Sequence, residues 1–187
     1  MMSKIVFEQR IATQAFAGGG TLPPSVGGSV MPSVSTSRSS GNPQRGFSTD
    51  AVMSRIDHAL LDMRANGRRA VRILDVGCAD GGGLIETVLH AVMLGFVAIE
   101  GRGFDSAPGL VDRARATAIG IHDPRLELTF DVADILAALA EEEDHGADIV
   151  LCHYGLLAGL PMDRHEQAVA DLQRVAGVAL ICLGGAQ

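Results

Sequence analysis

The sequence predicts an α/β fold: a doubly wound, mostly parallel sheet of about five strands with helices on both faces. Three observations carry this. Short aliphatic runs recur along the chain and alternate with longer stretches of helical period, the pattern of consecutive βα units. The first run ends in an acidic residue and a turn of glycines that leads straight into a helix. The second run also ends on an aspartate, and Pro108 then suits the first turn of a helix capped by Ser106.

The 187 residues suit one domain with a real core. Composition divides the chain into a Gly/Ser/Pro-rich segment, 1–48, and a folded domain, 49–187. Met1 to Ala17 suits a short amphipathic helix that is marginal alone. Gly18 to Ser48 lacks the apolar surface that would offset the entropy of ordering it, so it reads as a flexible linker. A helix then starts at the capping residues Ser48-Thr49-Asp50. Val52, Met53, Ile56, Ala59, Leu60 and Met63 line one face of it, and Asn66-Gly67 stops it.

Val71 to Val76 is the first strand, and Gly77 to Gly83 the glycine turn, where positive φ and close backbone approach are available. Leu84 to Leu94 is the following helix. Val97 to Phe104 is the second strand, with Leu110, Val111, Ala114 and Ala118 as the inner face of the next helix. Leu126 to Phe130 alternates apolar and polar residues, as an edge strand with one exposed face does. Ile135 to Glu143 is a helix. Asp148 to Tyr154 is a buried strand opening onto a loop, Leu156 to Pro161. Asp163 with Glu166 suggests a capping box for a helix whose apolar face is Ala168, Val169, Leu172 and Val175. Val178 to Leu183 is the fifth strand.

The glycine spacing is informative. Neither the dinucleotide pattern G-x-G-x-x-G nor the phosphate-loop pattern G-x-x-x-x-G-K-[ST] occurs, and the one lysine is Lys4. Asp75-Val76-Gly77-Cys78-Ala79-Asp80-Gly81 instead resembles the first motif of the class I S-adenosylmethionine-dependent methyltransferases, acidic-x-Gly-x-Gly-x-Gly, with Ala79 where the family most often has glycine. The stretch from Gly103 to Arg115 resembles the second motif, and Asp148 to Tyr154 the fourth. The resemblance implies a Rossmann-like fold and S-adenosylmethionine as cofactor. It places Asp75, Gly77, Cys78, Ala79 and Gly81 in the cofactor loop, and Asp105, with Ser106 beside it, on the ribose hydroxyls. Asp131, with Val132 beside it, falls on the adenine, and Cys152 on the cofactor through its backbone. Asp105 stands 30 residues after Asp75, more than the roughly 20 usual for such a unit, which leaves Glu100 as the rival ribose ligand. His153 is the candidate general base and Tyr154 the candidate for orienting the acceptor. The family's sheet also carries a final antiparallel hairpin. The sequence lacks room for it, so strand five is expected to be an open edge, covered by the N-terminal segment, a partner chain or a second copy.

Bulk properties exclude other classes. A net charge of −7 and a pI near 5.2 disfavour a nucleic-acid surface, and one tyrosine without tryptophan disfavours a base-stacking platform. The three cysteines are dispersed, which suits free thiols in a reducing compartment; no zinc spacing is present, so no metal is expected. No stretch reaches the roughly 20 apolar residues of a membrane span. Lys4, Glu8 and Arg10 interrupt any signal-peptide core, so the expected location is cytoplasmic. Two function classes follow. One is a methyltransferase acting on a small molecule. The other is a non-catalytic cofactor-binding or scaffold protein that pairs through its open edge.

Overall fold

The computed structural model describes residues 49–183; the expected N-terminal helix and linker lie outside the described residues. In chain order the elements are α1 (Thr49–Ala65), β1 (Ala70–Val76), α2 (Gly82–Met93), β2 (Ala98–Asp105), α3 (Pro108–Ile119), β3 (Leu126–Val132), α4 (Ile135–Glu141), β4 (Ala147–His153), α5 (Tyr154–Gly159), α6 (Met162–Val175) and β5 (Ala176–Leu183). The strands form one sheet in the order β3-β2-β1-β4-β5, and all four pairings are parallel. This is a Rossmann-like α/β fold with β1 at its centre.

Strand periodicity splits the core in two. Val71 and Ile73 of β1, Ile149 and Leu151 of β4 and Ile181 of β5 pack with residues of α1, α2 and α3 on one face. Leu74 and Val76 of β1 and Val150 and Cys152 of β4 pack with α4, α5 and α6 on the other. On the first face two glycines of β2 make room for larger neighbours. A Cβ on Gly101 would stand 2.7 Å from Leu128, and one on Gly103 would stand 2.8 Å from the Phe130 ring. Near the N-terminal ends of the strands, Asp148 accepts from Arg68 Nη2 at 2.6 Å and from the Arg72 N–H at 2.9 Å, tying β4 to β1.

Four local expectations change. Residues 154–159 form the short helix α5 rather than a loop. α3 is preceded by Ala107 at its cap position, not Ser106, and makes no side-chain cap bond. Pro161 occupies the cap position of α6, so Asp163 and Glu166 do not form a capping box. Glu100 lies toward the opposite end of β2 from Asp105, bonded to Arg72 Nε at 3.1 Å, which removes it as a ribose ligand. Among the described residues β5 pairs only with β4, and Arg55 on α1 donates from Nη2 to the Leu180 carbonyl at 3.2 Å.

Candidate functional site

The site is built at the C-terminal ends of the central strands. Asp75 pairs in register with Gly103 on β2 and with Leu151 on β4. Asp105 and His153 stand two residues further along those two strands, so all three side chains point to the face that carries α1, α2 and α3. Val132, the register partner of Asp105, shares that face and is 45% exposed.

The turn after β1 is held by its own chain. Gly77 and Cys78 both donate their N–H to the Phe104 carbonyl, at 2.9 and 3.1 Å. The Ala79 N–H donates to Asp105 Oδ2 at 3.0 Å, and the Gly81 N–H to the Cys78 carbonyl at 2.9 Å. Gly77 and Gly81 have φ of 76° and 79°, and Ala79 shares the left-handed region at 51°. That conformation is costly for a residue with a Cβ, so the one departure from the glycine pattern carries strain. The two glycines are required for different reasons. A Cβ on Gly77 would meet Leu156 of α5 at 3.1 Å, at the site itself. A Cβ on Gly81 would meet the Phe130 ring at 2.8 Å and Ala114 at 2.9 Å, inside the core. Gly81 therefore serves helix–sheet packing, and the sequence-based expectation that it makes room for a ligand's approach is corrected.

Asp75 is the anomaly of the site. It is fully buried, and neither carboxylate oxygen has a hydrogen-bond partner. Its Oδ2 lies 3.9 Å from where a Cβ on Gly83, in the first turn of α2, would stand. Burial first, and then the charge of Asp105, push its pKa from the usual 3.8 up to about 7. A buried carboxylate without a donor costs stability, and such groups mark functional sites. Asp105 itself is committed on both oxygens, because Oδ1 accepts the Ala107 N–H at 2.9 Å. A carboxylate has about four acceptor positions, which leaves Asp105 room for further donors.

His153 is half-buried at the end of β4. Burial lowers its pKa, while the charges of Asp105 and Asp80 act in the opposite direction. Its imidazole is thus neutral near pH 7, with one nitrogen able to accept a proton. Tyr154 opens α5, and its side chain lies outside the described ones. Cys78 and Cys152 are buried, and burial above all pushes both thiols up to about 12, so neither supplies a thiolate near pH 7.

The remaining candidates are dispersed. Asp131 points to the opposite face of the sheet from Asp105, toward α4, with Oδ2 bonded to Arg102 Nε at 3.2 Å. Ser106 is exposed. Two groups at the site were not singled out from sequence. Asp80 acts on His153 from within the glycine motif, and Leu156 covers Gly77 from a stretch read as loop. Two depressions lie elsewhere, about 330 Å³ between α3 and β3 and about 660 Å³ near the N-terminal ends of β1 and β2. Among the described residues, no group of three or more His, Cys, Asp or Glu is placed to hold a metal ion, and no helix is long and apolar enough to cross a membrane.

No protein-family model matches the chain, and no curated protein matches it in sequence. Solved structures do match. The crystal structure of monomeric WbdD is 23% identical, with a TM-score of 0.51, over 68% of this chain and 30% of that one. A second WbdD crystal structure gives the same TM-score and identity over 75% and 32%. WbdD is described as a bifunctional kinase-methyltransferase. Magnesium protoporphyrin IX methyltransferase from Synechocystis PCC 6803, with bound SAH, is 20% identical over 69% of this chain and 53% of that one, with a TM-score of 0.49. The chain spans about a third of the length of the WbdD chains it matches. The chain has the class I methyltransferase fold.

Proposed function

We propose that this chain binds S-adenosylmethionine at the C-terminal ends of β1 and β2 and transfers its methyl group to a small-molecule acceptor. The observation that carries the reading is Asp75, a fully buried carboxylate with no donor, beside the glycine turn. The cofactor has an ammonium group and a ribose diol, and the residues present fit both. Asp75 would accept from the ammonium, which removes the cost of an unpaired buried charge. Asp105 keeps acceptor positions for the diol while it holds the glycine turn in place through Ala79. Val132, exposed on the same face as Asp105, suits the flat side of the adenine. Asp131 would reach the adenine amino group only by leaving Arg102. Ser106, Cys78 and Cys152 are assigned no more than backbone contact.

When bound, S-adenosylmethionine supplies a methyl group activated by its sulfonium sulfur. The protein's part is to position the acceptor and take up its proton. His153 is the base, held neutral by its partial burial. Tyr154, the next residue, is assigned to orient the acceptor.

The test is methyl transfer with S-adenosylmethionine and a panel of small phenols, amines and carboxylic acids, read by mass spectrometry. A methylated product is expected. His153→Ala should lower turnover about 100-fold or more, the scale of a positioned base, with S-adenosylhomocysteine affinity held within a few-fold. Undiminished turnover in that variant removes His153 from the reaction.

A further inference from the structure

Cys152 on β4 and Cys182 on β5 are register partners in the parallel ladder. They share a face of the sheet. Cys152 packs in the core cluster under α4 and α6, and Leu180, two residues before Cys182, packs against that same cluster. Ile181, between them, belongs to the opposite cluster. Neighbouring strands lie ~4.8 Å apart, within the Cα separation of about 4.4–6.8 Å that a disulfide spans. Both thiols are free; Cys152 is buried and Cys182 exposed. The charge of Cys182 contributes to holding Cys152 protonated, second only to burial, as two neighbouring sulfurs would. The third cysteine, Cys78, lies in the opposite cluster beside Gly103.

We propose that Cys182 and Cys152 are a reversible oxidation site, in which hydrogen peroxide oxidises Cys182 and Cys152 then closes a β4–β5 disulfide. In the first step the Cys182 thiolate attacks a peroxide oxygen. The S–O bond forms, the O–O bond breaks, and the departing hydroxide is protonated to water. In the second step the Cys152 sulfur attacks the Cys182 sulfur. The S–S bond forms, the S–O bond breaks, and a second water leaves with the Cys152 proton. The two thiols give up two electrons, and peroxide is reduced to two waters. Exposure assigns the roles: only Cys182 meets the oxidant, and Cys152 is reached only by a neighbour already activated. In-register strands hold the two Cβ atoms about a strand spacing apart, wider than the mean of about 3.8 Å in a relaxed disulfide. The bond therefore strains the ladder and is readily reduced, which makes the site reversible. The two thiols lie on the opposite face of the sheet from the Asp75, Asp105 and His153 side chains, and their oxidation requires no bound cofactor.

The experiment treats the reduced full chain with hydrogen peroxide, alkylates the remaining thiols and maps peptides without reduction. The expected result is a Cys152–Cys182 cross-linked peptide within one chain, with two of the three thiols lost, Cys78 alkylated, and the thiols restored by dithiothreitol. Cys182→Ser, at an exposed position that spares the core, should abolish the cross-link and protect Cys152. Cys152→Ala, where it folds, should leave a Cys182 sulfenic acid that dimedone traps. Three results would overturn the proposal: oxidation of Cys182 that never reaches Cys152, cross-links only between chains, or loss of the Cys152 thiol in the Cys182→Ser variant.

Discussion

The Ala79 N–H donates to Asp105 Oδ2 at 3.0 Å, fastening the turn after β1 to the end of β2. The other oxygen of the same carboxylate holds the Ala107 N–H at the start of α3. One side chain thus sets the relative position of two loops at the candidate site. Asp105→Ala should destabilise the domain by about 2–3 kcal/mol, the scale of losing charged hydrogen bonds to two backbone donors. Asp105→Asn, which keeps one acceptor oxygen, should lose about half as much. Urea unfolding of the three proteins checks this; equal stabilities would mean that the two bonds contribute nothing.

Two substitutions in the same turn should act in opposite directions. Gly81→Ala forces a Cβ to within 2.9 Å of Phe130 and Ala114 and places it at a φ of 79°. Overpacking and left-handed strain together should cost about 2–4 kcal/mol. Ala79→Gly relieves the one left-handed alanine of the motif and should stabilise by about 0.5–1 kcal/mol, the strain removed less the entropy glycine adds to the unfolded chain. Thermal melts followed by circular dichroism would show a lower midpoint for the first and a higher one for the second. A rise for Gly81→Ala would contradict the packing around Phe130.

Asp75 gives the fold a pH dependence of defined sign. Its folded pKa of about 7 lies above the ordinary 3.8, so between those values the folded chain holds a proton that the unfolded chain has released. Stability from this group is present at low pH, falls as pH rises from about 4 to about 7, and stays low above that. At 1.36 kcal/mol per unit, the loss across the window is about 4 kcal/mol. Denaturant unfolding of the wild type against Asp75→Asn isolates it, since the amide does not titrate. Parallel pH profiles for the two proteins would mean that the carboxylate is solvated or paired in solution.

Much of the fold was legible because the central strands are nearly continuous aliphatic runs bounded by glycine and aspartate. Val71 to Val76, for instance, needs no partner to be recognised. The β3 edge position was equally readable from the alternation of Leu126 to Phe130, whose inward residues pack while Glu127 and Thr129 face out. What escaped the sequence were features set by neighbours distant along the chain. Nothing local shows that Gly81 faces Phe130 and Ala114, or that Leu156 folds back over Gly77. The commitment of Asp131 to Arg102 depends on strand register, as does the alignment of Asp105 and His153 on either side of Asp75. The helical cap signals at Ser106 and Asp163 failed for a local reason. Asp105 already bonds the N–H that precedes α3, and Pro161 starts α6 before Asp163 is reached.

In the proposed function, Asp75 and Asp105 at the C-terminal ends of β1 and β2 hold S-adenosylmethionine. Calorimetric titration of the purified chain with S-adenosylhomocysteine is the decisive measurement, because this demethylated product keeps the ammonium and the ribose diol assigned to those two residues and undergoes no transfer. The expected result is saturable binding at one site, weakened about 10- to 100-fold in Asp105→Ala under conditions where that variant remains folded, as the loss of a polar partner implies. No binding heat at several temperatures, from a chain that unfolds cooperatively, would contradict it.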